Sequence, residues 1–290
     1  MPDGSSEAFG RLMAELRPRL HRYCARMVGS AIDGEDVVQE ALAKAAEAFP
    51  AAGPIERPDS WLFRIAHNAA LDALRRRRRR AEIGSDVALA GLAEAGAGAD
   101  AQVAATASLA TLLHLPVAQR SSLVLIDVLG HSLVETADIL GLSVPAVKAA
   151  LHRARVRLKG LADAPEAPAP VLAVADRARL RAYADRFNAR DFEALRDLLA
   201  EDVRLELVNR TRLAGREVST YFGRYAAVSD WHLSPGLAEG RPALLVGDPA
   251  DPAGAVRYVI LLGWADGRIA TIRDFRHAAY ATEGMVLSRL

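Results

Sequence analysis

The sequence predicts a multidomain chain: two all-α units, the second a helix-turn-helix, followed by an α+β unit that ends in an antiparallel sheet. Three observations carry this. Apolar residues recur at helical spacing from Phe9 to Val156. Beyond a proline-rich stretch, Ala164 to Pro170, the pattern changes to the alternation of strands. At a prior of ~150 residues per domain, the 290 residues suggest about two folding units with room for a small third.

Taken in order, Phe9, Leu12, Met13, Leu16, Leu20 and Tyr23 lay an apolar face along a helix from Ala8 to Val28, with Pro18 as an interruption that could kink it. Asp33 and Asp36 mark the start of a second helix, whose face is Val37, Val38, Ala41, Leu42, Ala45 and Phe49 and whose end is Pro50. Pro58-Asp59-Ser60 opens a third, with Trp61, Leu62, Ile65, Ala69, Leu71 and Leu74 as its buried stripe. Residues 88–107, rich in Ala and Gly, read as a flexible linker. Leu109 to Leu129 gives one or two helices broken at Pro116. A short helix at Leu133–Leu140, a break at Gly141-Leu142-Ser143 and a basic helix carrying Val147, Leu151 and Val156 follow.

After the prolines at 165, 168 and 170, helices are expected at Val171–Phe187 and Phe192–Leu199. Val203, Leu205 and Leu207 alternate with Arg204 and Glu206 as a half-buried strand does. Further strands are expected at Ala243–Val246, Val256–Trp264 and Arg268–Phe275, the last two joined by an Asp-Gly hairpin at Asp266-Gly267.

Composition limits the function classes. Hydrophobic residues at 51% and charged residues at 25% are those of a globular chain, which excludes wholesale disorder and fibrous repeats. The single cysteine, Cys24, can form neither an intramolecular disulfide nor a Cys-based zinc site, so a reducing, cytoplasmic setting is expected, with no metal and no cofactor. Asp3 and Glu7 precede any basic residue, the wrong order for a signal peptide, and no stretch is long and apolar enough for a membrane span.

The net charge of +1 conceals local concentrations. Trp61 to Arg80 carries Arg64 and the run Arg75–Arg80 against Asp72 alone. Lys148 to Lys159 carries five basic residues and no acid, whereas Asp33 to Glu47 carries five acids against Lys44. The first two segments suit a polyanion and the third a basic protein surface. In a helix-turn-helix the second helix enters the major groove, so its first residues must be small or polar and later basic residues meet phosphates. Ser143, Val144, Pro145, Lys148, His152, Arg153 and Arg155 fit that division, although an amphipathic pair with a solvated basic face has similar spacing. The arginine run follows Trp61, Phe63, His67 and Asn68, and planar side chains beside cations suit bases displaced from a duplex.

Three motifs together carry a family resemblance. Asp33-Gly34-Glu35-Asp36-Val37-Val38-Gln39-Glu40, Ser60-Trp61-Leu62-Phe63-Arg64-Ile65-Ala66-His67-Asn68-Ala69-Ala70-Leu71-Asp72, and Val147-Lys148-Ala149-Ala150-Leu151-His152-Arg153-Ala154-Arg155 resemble, in order and separation, those of bacterial sigma factors of the extracytoplasmic-function group. The resemblance covers Phe9 to Leu161. It implies region 2 at 8–82, a linker at 83–107, region 4 at 108–162 and a proline-rich linker at 163–170. It further implies that Asp33, Asp36, Gln39 and Glu40 dock on the clamp helices of the RNA polymerase largest subunit. Trp61, Arg64, His67, Asn68, Asp72, Arg75 and Arg76 would capture the unwound −10 promoter element, and the helix-turn-helix would read the −35 element. Ala149 and Ala150 stand where many members of the group carry a polar or basic pair.

Residues 171–282 resemble, by element order, the SnoaL-like members of the NTF2-like fold, in which helices and a curved sheet close a cone. As a fused extension this implies a regulatory domain. Asp185, Trp231, His232, Asp274 and His277 are candidates to line its cavity, either as an acid/base site of a cyclase- or isomerase-like enzyme or as the wall of a pocket for a small apolar ligand.

Overall fold

The computed structural model describes residues 4–84, 107–161, 172–208 and 211–290. They form two compact units, Met1–Glu166 and Ala167–Leu290. Most of the first expected linker, and all of the second, lie outside the described residues.

In the first unit α1 (Gly4–Val28), α2 (Ala31–Ala48) and α3 (Pro58–Gly84) form a bundle. α1 runs through Pro18 as one helix. α2 starts two residues earlier than its acids suggest, because Ser30 is the cap: its Oγ accepts from the Asp33 backbone N–H at 3.0 Å. Leu20, Tyr23, Met27, Val38, Leu62, Phe63 and Ala66 fill the core. α1 and α2 approach closely because residue 34 is glycine. A Cβ there would lie 2.6 Å from the Ala25 Cα. Beside that crossing, Arg17 and Glu35 form a buried ion pair, with the Glu35 side chain wholly inaccessible.

The chain resumes with α4 (Leu109–Leu113) and α5 (Val117–Leu123), which begins right after Pro116 and continues into one π-turn at Val124–Val128. α6 (Leu133–Leu140) opens with a capping box in which Ser132 and Glu135 satisfy each other's backbone N–H. It closes on Gly141, whose φ of 65° ends the helix in the left-handed conformation. α7 (Val144–Leu161) follows. Leu112, Leu115, Leu123, Leu151, Ala154 and Leu158 form a second core, while Val124, Leu125 and Ile139 join the core of the α1–α3 bundle. The two helical halves are therefore packed together.

In the second unit α8 (Val174–Asn188) and α9 (Phe192–Arg196) precede a seven-stranded sheet of order β2-β1-β6-β5-β4-β3-β7. The strands are β1 (Leu199–Leu207), β2 (Thr211–Ala214), β3 (His232–Ala238), β4 (Arg241–Gly247), β5 (Tyr258–Ala265), β6 (Arg268–Asp274) and β7 (Leu287–Arg289), with α10 (Ser219–Ala226) between β2 and β3. The sheet is mixed, since β1 runs parallel to β6 while every other pair is antiparallel. Asp266 and Gly267 turn the β5–β6 hairpin with φ of 51° and 78°, as a primed turn requires. Leu199 begins β1 and does not end a helix. Periodicity did not disclose β3, because Pro235 and Gly236 interrupt it. Both are nevertheless paired, and a Cβ on Gly236 would meet the Ser288 carbonyl at 2.6 Å. β5 lies at the centre of the strand order, flanked by β6 and β4. No helix among the described residues is long and apolar enough to cross a membrane.

Candidate nucleic-acid interface and cone cavity

The turn after Gly141 aims α7 outward. Ser143 caps it, its Oγ accepting from the Ala146 N–H at 3.3 Å. Val147, Ala150, Leu151 and Ala154 face the core, which leaves Ser143, Pro145, Lys148, His152 and Arg153 exposed and Val144 half-buried. Arg155 differs. It donates twice to Asp127, from Nε at 2.9 Å and Nη2 at 2.6 Å, and the Asp127 side chain is only 2% exposed. Such a fork between two planar groups anchors α7 to the π-turn.

On α3, spacings of three and four place Trp61, Arg64, Asn68, Asp72 and Arg75 on one face. Arg64, Asn68, Arg75 and Arg76 are exposed, and Trp61 and Asp72 half-buried. Trp61 packs edge-on against Phe9, which stacks on Phe49. His67 points inward: the Tyr23 hydroxyl lies 2.7 Å from its Nδ1, and burial lowers its pKa to about 4. The imidazole is thus neutral near pH 7, so Nδ1 can accept a hydrogen bond from the phenol.

The acidic face of α2 meets the basic end of α3. Arg76 Nη2 donates to Glu40 Oε2 at 2.6 Å, and this contact, helped by Lys44 at 2.7 Å, holds the Glu40 carboxyl below its ordinary pKa. Lys44 also lies 3.7 Å from Asp72, which bonds Arg75 at 3.1 Å. Asp36 is exposed, and Asp33, Gln39 and Glu40 are half-buried. The residues expected to meet polymerase and those expected to meet DNA are therefore joined in one surface mesh.

A further set of contacts joins α3 to the helix-turn-helix. Arg64 pairs with Asp138 at 2.5 Å and Arg57 with Glu135 at 3.2 Å. Arg19 donates to the Leu129 carbonyl at 3.4 Å, and His131 presents its ring edge-on to Phe63 with centroids 4.8 Å apart. Between the helices lies an open groove of about 480 Å³, lined by Arg64, Asn68, Val134, Asp138, Leu142 and Val144 among others. Glu135 and Asp138 carry a helical i, i+3 signal, but their partners are too distant in sequence for that signal to identify.

In the second unit, Asp274 at the end of β6 is 1% exposed. Its Oδ2 accepts from the Tyr221 hydroxyl at 3.0 Å and the Tyr225 hydroxyl at 2.8 Å, and its Oδ1 from the Arg276 backbone N–H at 2.8 Å. Burial nevertheless raises its pKa. Tyr258 extends the cluster to Tyr225 at 3.1 Å. A cavity of about 200 Å³ opens here, lined by Leu207, Tyr221, Arg224, Tyr225, Asp274, Arg276 and His277. Of the expected cavity residues, Asp274 and His277 line it. Trp231 instead packs edge-on against Phe187 and bonds the Tyr225 carbonyl, His232 lies on β3 opposite Gly247, and Asp185 is exposed on α8. The tyrosines and arginines were not foreseen; the i, i+4 spacing of Tyr221 and Tyr225 was the available signal.

A helical bundle packed to a helix-turn-helix with an exposed basic reading face defines a DNA-engaging transcription factor. The sequence matches the family descriptions Sigma-70 region 2 over residues 12–80 and Sigma-70, region 4 over residues 108–158. The RNA polymerase sigma factor CnrH of Cupriavidus metallidurans is 39% identical over 171 residues, covering 56% of this chain and 90% of that protein. The ECF RNA polymerase sigma factor SigG of Mycobacterium tuberculosis is 31% identical over 291 residues, covering 90% of this chain and 71% of that protein. The crystal structure of the extracytoplasmic-function sigma factor SigJ of Mycobacterium tuberculosis matches 91% of this chain and 95% of that one at 20% identity, with a TM-score of 0.36. The chain belongs to the sigma-70 family, in its extracytoplasmic-function group, and carries a C-terminal α+β unit. It is a transcription initiation factor whose partners are RNA polymerase and promoter DNA.

Proposed function

We propose that residues 8–82 form region 2, 108–162 region 4 and 171–282 a SnoaL-like regulatory domain of a cytoplasmic sigma factor. The −35 element is read by Ser143, Val144, Pro145, Lys148, His152 and Arg153, with Arg155 holding the reading helix in place. The −10 element is captured by Trp61, Arg64, Asn68, Asp72, Arg75 and Arg76, with His67 supporting α3 from within through Tyr23. Asp33, Asp36, Gln39 and Glu40 dock on the polymerase clamp helices. The observation that carries this is the division of α7 into a buried apolar stripe and an exposed face of Ser143, Pro145, Lys148 and His152. Melting needs no hydrolytic site, since binding energy in the polymerase complex drives it.

Engagement requires opening. The two promoter elements are separate stretches of DNA, one proposed for α3 and the other for α7, whereas Arg64 on α3 touches Asp138 on α6, the helix just before α7. The α3–α6 contacts therefore break when both elements are bound. The C-terminal cone modulates that activity, its cavity holding a small ligand.

The test is in vitro transcription with bacterial core polymerase across a pooled promoter library, comparing the full chain with one ending at Asp163. Transcripts sharing a −35/−10 pattern are expected from at least one of the two, with different yields. Absence of both transcripts and polymerase binding would overturn the assignment. Turnover of a small molecule that is lost in Asp274→Ala would favour an enzymatic role for the cone.

A further inference from the structure

We propose that the C-terminal cavity selects a small organic anion: a compact apolar body, such as a single ring, bearing one carboxylate that Arg224 receives. This names the ligand class for the cone and rests on the cone holding a ligand at all, as proposed above.

The walls set the body of the ligand. Leu207 and the rings of Tyr221 and Tyr225 make the cavity mainly apolar, and about 200 Å³ is below the ~300–1,000 Å³ usual for drug-sized ligands. The polar groups set its head. Asp274 looks at first like a cation site, but three of its roughly four acceptor positions are taken, Oδ2 by two phenols and Oδ1 by a backbone N–H, and it is 1% exposed. A cationic ligand would have only the remaining Oδ1 position to pair with, on a nearly inaccessible side chain. The hydroxyl of Tyr225 is shared between Asp274 and Tyr258.

The cations at the rim differ from each other. Arg276 is committed to Asp230, at 3.0 and 3.3 Å, and lies over the Tyr225 ring at 5.0 Å. Arg224, one residue before Tyr225 on α10, lines the same cavity, is exposed, and makes no ion pair among the described residues. A guanidinium at an apolar mouth, with its fork of donors unengaged, is complementary to a planar carboxylate.

The test uses the full chain and three ring probes of equal size, titrated by calorimetry: benzoate, its neutral relative benzamide and its cationic relative benzylamine. Benzoate is expected to saturate one site and to bind about tenfold or more tighter than benzamide. Arg224→Gln is expected to bring benzoate down to the level of benzamide while leaving benzamide binding unchanged, which also shows that the cavity is intact. Equal binding of benzoate and benzamide, tighter binding of benzylamine, or an Arg224→Gln chain that still prefers benzoate would overturn the anion assignment while leaving the cone a ligand-holding unit. No saturable binding of any probe would overturn both.

Discussion

The two units bury polar groups in opposite ways. In the helical unit Glu35 is buried against an arginine and His67 against a phenol, both turned inward from the exposed faces of α3 and α7 that are proposed to read the promoter. In the cone the buried carboxylate, Asp274, is surrounded by neutral phenols and lies on the wall of the cavity itself. The first arrangement places polar burial under a functional surface and gives that surface a fixed shape. The second makes polar burial part of the site. Substitutions at buried polar positions should therefore act on stability in the helical unit and on ligand selection as well in the cone.

The strongest way to break this comparison is at Glu35. Removing one partner of a buried ion pair leaves the other charge desolvated, at a cost of ~3–5 kcal/mol. Glu35→Ala should lower the unfolding free energy of the helical transition, extrapolated from urea titration, by that amount and leave the circular-dichroism signal of the sheet at low denaturant unchanged. A loss under ~1 kcal/mol, the range of exposed pairs, would show that Arg17 finds water or another acceptor and that the pair does not fix the α1–α2 crossing.

The buried histidine gives the next effect, and its sign follows from its neutrality in the folded state. Its folded pKa of about 4 lies below the ordinary value of 6.5, so the unfolded chain binds the proton more readily between those values. Stability from His67 is complete above about pH 6.5 and declines as pH falls towards 4, by ~3 kcal/mol in all. Protonation also removes the Nδ1 lone pair that accepts from Tyr23. Urea midpoints measured from pH 7 to pH 4 should fall more steeply for the native chain than for His67→Gln; parallel profiles would mean that the imidazole is already solvated.

Much of this was legible in the sequence, and what was not has a common cause. The three-helix bundle, the helix-turn-helix and the Asp266-Gly267 hairpin are set by local periodicity and turn chemistry, and each stands where those signals place it. β3 was hidden because Pro235 and Gly236 are unfavourable in isolation and are tolerated only through pairing with β4 and the close approach of β7. Among site residues, exposure on α7 followed from its apolar stripe. The role of Arg155 depends on Asp127, 28 positions away, and that of Asp274 on Tyr221 and Tyr225, 53 and 49 positions away. Local patterns state which face a residue occupies. They do not state which distant group it meets there.

That distinction predicts different behaviour for two basic residues on α7. Lys148 is exposed and, in the proposed reading, is placed to meet phosphate, so Lys148→Ala should weaken promoter binding about uniformly across sequences and reduce the salt slope by about one unit. Arg155→Ala should instead lower the stability of the helix-turn-helix by releasing the buried Asp127, with the salt slope unchanged. DNA-binding isotherms at several salt concentrations, paired with thermal unfolding, separate the two. If Arg155→Ala also lowers the salt slope, its guanidinium leaves Asp127 for DNA in the complex.

The smallest effect on stability should come from the contacts that α3 and Arg57, the residue before it, make with α6. Arg64–Asp138 and Arg57–Glu135 are largely exposed, and such pairs contribute ~0.2–1 kcal/mol each. If both break when the two promoter elements are held at once, as proposed, the same quantity returns as a gain in function. Asp138→Ala should leave the unfolding midpoint nearly unchanged while raising promoter occupancy at limiting polymerase by up to about fivefold, the factor that 1 kcal/mol represents. Glu135→Ala confounds this, since Glu135 also caps α6 through Ser132, so Asp138 is the cleaner probe. Occupancy that falls in Asp138→Ala would mean that the contact with Arg64 presents that arginine to DNA, and the packed arrangement of α3 and α6 would then be one the promoter complex retains.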